Sequence, residues 1–236
     1  MSVFYHRIEG AIDDAHSGAW EALNQFALDG GLQFKKKDGR VYTPNLVFID
    51  SGDGVHSSTV YQFCNRWQNT FPSKGFGTIK KTDKDVKKAE ELGDQIDTGN
   101  VRRYKTLKIN DDTTLYEIGT NYYKSMTYNN LKIPRQPNDP QRPGYCDFPI
   151  DRGEKYFKML TAEEKRKDGS FHAGGRRNEA LDCRVMGMCA ADVYLDAMVT
   201  NMKKAMKEAG ADENQLKQIN RRFAIEQLKK RAGVNY

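Results

Sequence analysis

The chain has 236 residues, 38% hydrophobic and 30% charged, with a formal net charge of +6. That length suits one domain of good size, or one domain with extended tails, and the composition is that of a water-soluble chain with a modest core. No stretch approaches the roughly 18 apolar residues of a membrane span, and Met1–Arg7 lacks a signal-peptide pattern, so the membrane and secreted classes are excluded and a cytoplasmic protein is expected.

In chain order, residues 2–9 (SVFYHRIE) read as a short strand and residues 11–18 as a turn. Trp20–Leu28 suits a helix with Trp20, Leu23, Ala27 and Leu28 on one face. Residues 35–45 are polar and turn-rich. Leu46–Ile49 is a continuous apolar run, the mark of a strand buried on both faces, and it ends in Asp50-Ser51-Gly52-Asp53-Gly54. Ser57 or Ser58 can cap a helix over Thr59–Gln68, whose Val60, Phe63, Cys64 and Trp67 recur at three and four. A strand at Asn69–Pro72 leads into Lys74-Gly75-Phe76-Gly77. Strand, acidic loop, helix and strand make the unit of a parallel sheet.

Residues 78–100 are lysine-rich with few apolar anchors and read as an extended segment with a short helix at Lys84–Leu92. Residues 101–109 and 113–119 look like two strands joined by Asn110-Asp111-Asp112, a turn signal. A helix follows at Tyr122–Leu131, then a loop over 134–149 carrying five of the seven prolines. Residues 153–167 suit a helix with Tyr156, Phe157 and Leu160 inward, and residues 168–177 form a loop with Gly and Arg. Asn178–Lys207 is the longest helical pattern, and a basic helix spans Asp212–Lys230. This order gives an α/β domain over 1–200 and a basic helical tail over 201–236. Cys64, Cys146, Cys183 and Cys189 include no C-x-x-C pair and read as reduced core thiols, not as zinc ligands or disulfides. A pI of about 9.0 suits a polyanion partner without specifying one.

Two places carry chemistry. Asp50 closes a buried strand, so a rigid element fixes it where open α/β sheets place their binding crevice; a turn or capping aspartate is the plain alternative. In RRNEALDC (Arg176–Cys183), Glu179 and Asp182 stand three apart and share one helix face. Acids near a helix start also favour its dipole. Asp182 faces the side of apolar Val185, and a carboxylate on a semi-buried face needs a partner such as a hard cation.

Taken together, FIDSGDGVHSSTVYQFC (48–64), SKG (73–75), LYEIGTNYYKSMTYNNL (115–131), PGYCDFP (143–149), YFKMLTAEEK (156–165) and RRNEALDC (176–183) resemble, in that order, the large terminase subunit of tailed phages of the lambda-like packaging group. The resemblance covers most of residues 5–195, with LTAEE and RRNEALDC its most specific parts. It implies a nuclease domain similar to RNase H and the RuvC-type resolvases: a mixed sheet flanked by helices that cuts concatemeric viral DNA in the host cytoplasm. Such enzymes hold two divalent ions, Mg²⁺ or Mn²⁺, between clustered carboxylates; one ion activates water and the other stabilises the leaving 3′ oxygen.

On this resemblance Asp50 is the carboxylate ending the fourth strand, Asp182 is the carboxylate on the C-terminal helix, and Glu179 is a neighbour that ligates or orients water. Lys74 and Lys124 match lysines suited to phosphate contact, and Arg176 and Arg177 flank the site as a bidentate clamp. Glu117 reads as a cross-strand partner for a lysine or a further ligand. Asp147 stands where the family has His. Double-stranded DNA, the terminase ATPase, the small terminase subunit and the portal are the implied partners. Two further features depart from the pattern. The first strand with its central Asp and its neighbour have no counterpart, so the fold is expected to be N-terminally truncated. There is no G-x-x-x-x-G-K-[ST] phosphate loop. Glu9, Asp13 and Asp14 are poor substitutes for the missing acid. The Leu46–Ile49 strand should therefore expose an edge, unless another polypeptide supplies strands or residues 2–9 pair with it. In the one case the chain is half of a split enzyme; in the other it is a weak nuclease or a DNA-binding and assembly piece of the packaging motor.

Overall fold

A computed structural model describes residues 5–29, 31–35, 39–80, 82, 101–136 and 144–231. The expected helix at Lys84–Leu92, residues 2–4 of the expected first strand and residues 137–143 of the proline-rich loop lie outside the described residues.

Helix α1 (Gly18–Leu23) runs into a π turn at Asn24–Leu28. Two-residue strands β1 (Phe34–Lys35) and β2 (Val41–Tyr42) pair antiparallel. The central sheet uses β3 (Val47–Asp50) and β4 (Thr70–Phe76), joined through helix α2 (Ser57–Cys64). A minor pair, β5 (Ile79–Lys80) and β6 (Val101–Arg102), precedes β7 (Tyr104–Lys108) and β8 (Thr114–Gly119). In space the sheet runs β3-β4-β8-β7, with β3, β4 and β8 parallel and β7 antiparallel to β8. The strand–helix–strand unit expected from the sequence is present. The β7–β8 turn is held by Asn110, whose Oδ1 accepts from the amides of Asp112 (3.0 Å) and Thr113 (2.8 Å).

Helix α3 (Thr120–Leu131) leaves β8 directly. Helix α4 (Glu154–Leu160) and the hairpin of β9 (Glu164–Lys165) and β10 (Phe171–His172) lead to the long helix α5 (Glu179–Glu208). Short α6 (Glu213–Gln218) and α7 (Arg221–Arg231) fold back on α5. The expected single helix at Asp212–Lys230 is therefore two. Helix α5 passes residue 200 without a break.

The main core lies between the sheet and helices α3, α4 and α5. Ile118, Tyr123, Leu160, Leu181, Val185 and Cys189 are its buried centre, and Phe48, Tyr104 and Tyr116 pack against it from the strands. Each such aliphatic contributes about 1.5–3 kcal/mol by leaving water. A second cluster on the other sheet face joins Trp20, Val60, Phe63 and Cys64, with Ile49 against it.

Several expectations need correction. Residues 5–9 form no strand, so they do not complete the sheet beside β3. Among the described residues β3 pairs only with β4, and its other edge carries no strand. Its residues 47–49 are only half-buried, which is what an edge position gives them. Strand β4 runs on through Lys74 and Gly75, because the ladder to β8 continues to Phe76. Helix α4 stops at Leu160, well short of residue 167: the Thr161 hydroxyl donates to the Phe157 carbonyl, and the following residues are drawn into contacts with α3 and α5. Within α4, Met159 and not Phe157 faces the core beside Tyr156 and Leu160. Of the four free cysteines, Cys64, Cys146 and Cys189 are buried and Cys183 is exposed.

Candidate active site

Asp50 stands at the last position of β3, opposite Ser73 of β4 in register. Side chains alternate along a strand, and Phe48, two residues earlier, packs into the core under α5. Asp50 therefore projects on the α5 side of the sheet. Its loop is tightly tied. The Gly52 amide donates to Asp50 Oδ1 at 3.0 Å, the Ser51 hydroxyl donates to the Ser73 carbonyl at 3.0 Å, and the Ser57 hydroxyl donates to the Ser51 carbonyl at 2.8 Å. A Cβ at residue 52 would sit 3.0 Å from Asp50 Oδ1, so glycine there lets the carboxylate be bonded closely. Gly54, at φ +77°, supplies the left-handed turn that returns the chain to α2.

The loop ends on His56. Its Nδ1 lies 2.6 Å from Asp53 Oδ2 and its Nε2 3.4 Å from Asp13 Oδ1. The Asp53 hydrogen bond raises the His56 pKa, and the same bond lowers that of Asp53. Asp13 thus steadies the loop from outside. Asp14 caps its own turn by accepting from the His16 amide, and Glu9 pairs with Arg7.

Asp182 lies in the first turn of α5, beside fully buried Leu181. Val185, one turn on, anchors that face to the core, and Met186 Sδ accepts from the hydroxyl of Ser73, the β4 residue beside Asp50 in register. The packing of α5 against β3 brings the two aspartates to one side of the sheet.

Asp182 is clamped by two donors. Asn178 Nδ2 donates to its Oδ2 at 2.9 Å, and Lys124 Nζ lies 3.6 Å from its Oδ1. Both donors also serve Glu163. Lys124 Nζ lies 2.7 and 2.8 Å from its two oxygens, and Asn178 Nδ2 2.6 Å from Oε1. The Glu163 side chain is only 3% exposed and that of Lys124 12%. The Asp182 pKa is raised, first by burial and then by the charges of Glu163 and Asp50, against the opposing pull of Lys124.

The remaining sequence-predicted residues sit around this group. Glu179 turns to Arg177, at 2.8 Å, and is held below the usual carboxylate range by a backbone hydrogen bond and by that arginine. Arg176 pairs with Glu164 at 2.9 Å and lines, with Lys165, Arg166 and His172, an open pocket at the β9–β10 hairpin. Lys74 lies opposite Glu117 in register, on the sheet face away from Asp50. Glu117 forms the cross-strand ion pair expected for it, with Lys105. Lys124, expected to meet a phosphate, gives its ammonium to Glu163 and Asp182. Sequence reasoning missed Glu163 and Asn178. The signal available is the Glu-Glu pair of LTAEE, which helical spacing alone places at the end of a helix.

The donor set fits a hard divalent cation in kind: carboxylate oxygens, with an ammonium already lying against one of them. Asp50 and Asp182 would hold such an ion. Among the described residues no group of three or more His, Cys, Asp or Glu side chains is close enough to hold a metal, so water or substrate oxygens would complete the shell.

No curated protein and no solved structure matches the chain. The family described as terminase large subunit gpA, endonuclease domain, matches residues 1–217. With nearly the whole chain covered, and with a mixed sheet that carries one carboxylate on a strand end and another on the facing helix, the protein belongs to the terminase gpA endonuclease-domain family.

Proposed function

We propose that this domain is a metal-dependent DNA endonuclease that cuts concatemeric viral DNA during packaging, on an RNase H-like sheet of the RuvC-type resolvase kind. The carrying observation is the placement of Asp50 and Asp182, far apart in sequence, on one side of the sheet, the one ending β3 and the other in the first turn of the helix packed on it. The parallel β3-β4-β8 order with antiparallel β7 supports the fold reading. When bound, Mg²⁺ or Mn²⁺, one ion or the two expected for this class, would supply an activated water and a counter-charge for the leaving 3′ oxygen.

The chain's own residues do the rest. Asp50 is fixed by β3 and the Gly52 amide. Asp182 is fixed by Asn178 and Lys124. Arg176 and Arg177 stand at the entry to α5, where exposed guanidinium groups can grip the DNA backbone in two-pronged fashion. Lys74 extends the cationic surface on the other sheet face. Contacts of these groups to phosphate position the duplex without carrying sequence information. The ATPase polypeptide, the small subunit and the portal are the partners that would set that position.

A second reading, a DNA-binding and assembly piece that cuts only with a partner chain, is favoured by one observation. The outer edge of β3 has no strand on it among the described residues, beside the very aspartate that needs a third acid.

Plasmid cleavage with Mn²⁺ separates them. Wild-type protein nicks or linearises the plasmid, and Asp50→Ala or Asp182→Ala lowers the rate by about 100-fold or more, as expected for loss of a metal that generates the nucleophile. Cleavage that survives both substitutions sinks the assigned site. Inert wild-type protein that becomes active when the ATPase polypeptide is added selects the second reading.

A further inference from the structure

Glu163 is the most buried acid near the site, and its position is fixed twice. The Tyr128 hydroxyl donates to the Glu163 carbonyl at 2.8 Å and accepts from the Glu163 amide at 3.1 Å. The side chain then takes Lys124 on both oxygens and Asn178 on one. A buried carboxylate left without such partners would be costly. The same two donors reach the two separate oxygens of Asp182, whose side chain is 43% exposed.

Resting on the nuclease reading above, we propose that Glu163 is the positioning residue of this site: it holds Lys124 and Asn178 against Asp182 and, by taking the larger share of the Lys124 ammonium, leaves Asp182 open to a divalent cation. The distances carry this. The ammonium lies 2.7 Å from Glu163 but 3.6 Å from Asp182. A lysine beside a metal-binding carboxylate competes with the metal. Glu163 draws that lysine back while keeping it near enough to orient the carboxylate. Asn178 has two amide hydrogens, and one serves each acid. Removing the charge of Glu163 would leave Lys124 with Asp182 as its sole counter-ion and neutralise the ligand.

The test is Mn²⁺ binding to the full chain without DNA, read by the electron paramagnetic resonance signal of free Mn²⁺, beside thermal melts of each variant. Glu163→Gln weakens binding about tenfold, the scale of outer-shell changes at metal sites. Adding Lys124→Met to Glu163→Gln restores most of the lost affinity, because the competing ammonium is gone. The double variant buries no unpaired charge here, so it decides the matter even if the single variant melts early. A residue that only supported the fold would give no such restoration. Wild-type affinity in Glu163→Gln, or a double variant that binds tenfold or more weaker than wild type, overturns the proposal. If Asp182→Asn binds Mn²⁺ as well as wild type does, the metal reading itself falls and this role with it. Binding lost in Asp182→Asn but unchanged in Glu163→Gln removes only the role of Glu163.

Discussion

At Asp50 and Asp182 the same functional group meets two surroundings. Asp50 is exposed and receives one backbone amide, while Asp182 is half-buried among a lysine, an asparagine and a second acid. That asymmetry follows from the elements: a strand end opens to solvent, and the first turn of α5 is pressed against α3. Close by, His56 joins two acids from separate segments, and its behaviour with pH is decided by sign. Its pKa is raised by Asp53, so the stability it contributes is fully present below the unfolded value of about 6.5 and is lost as pH rises through the folded value. The lowered Asp53 contributes above its unfolded value of about 3.9 and loses that contribution as pH falls through the folded one. The contact is thus strongest between those limits. Nuclear magnetic resonance titration of His56 should give a midpoint above about 6.5 that drops in Asp53→Asn. An unchanged midpoint in the variant would show that Asp53 does not hold the imidazole. At this scale the placement of Asp50 on a strand end and of Asp182 on a helix was legible, because each lies in a distinctive segment. Glu163 was not, since its partners Lys124 and Asn178 come from other elements and a strand of spacing gives no hint of them.

Among the elements, α5 organises the molecule. Its first turn carries Asp182, its middle lines the core, and its later turns hold a buried charge network. There Arg221 of α7 bonds Asp196 through Nε at 2.5 Å and Asp192 through Nη1 at 3.3 Å. The hydroxyls of Tyr104 (2.5 Å) and Tyr123 (2.9 Å) donate to the same two acids. Burial drives both phenol pKa values far up, so they remain donors. Removing Arg221 would take the guanidinium from buried Asp196 and leave Asp192 with Arg103. Arg221→Ala should cost about 3–5 kcal/mol in urea unfolding, and Asp196→Asn added to it should recover part of that loss. Additive losses would show that the pair is not coupled. The strand–helix–strand unit and α5 were legible from apolar runs and three-four spacing, which report on burial of an element's own face. The β4 extension, the early stop of α4 and the division of the last helix were not. Each is set by what a neighbouring element offers: a ladder from β8, donors from α3 and α5, and the acids of α5.

For the whole molecule, a net charge of +6 and the exposed cations at the β9–β10 hairpin and the entry to α5 suit a polyanion without a base code. If about three phosphates are contacted, duplex affinity should fall roughly 40-fold between 50 and 200 mM salt, with little change between unrelated sequences. A flat salt response would argue against backbone contacts. No helix among the described residues is long and apolar enough to cross a membrane. The four-stranded sheet leaves β3, the strand bearing Asp50, at its edge among the described residues, which makes that edge the natural place for a further strand. All of this turns on whether the two aspartates hold a metal. Anomalous diffraction from crystals grown with Mn²⁺ tests it most directly: a peak in bonding contact with both Asp50 and Asp182 is expected, and a bound Mn²⁺ that touches neither carboxylate would contradict the metal site.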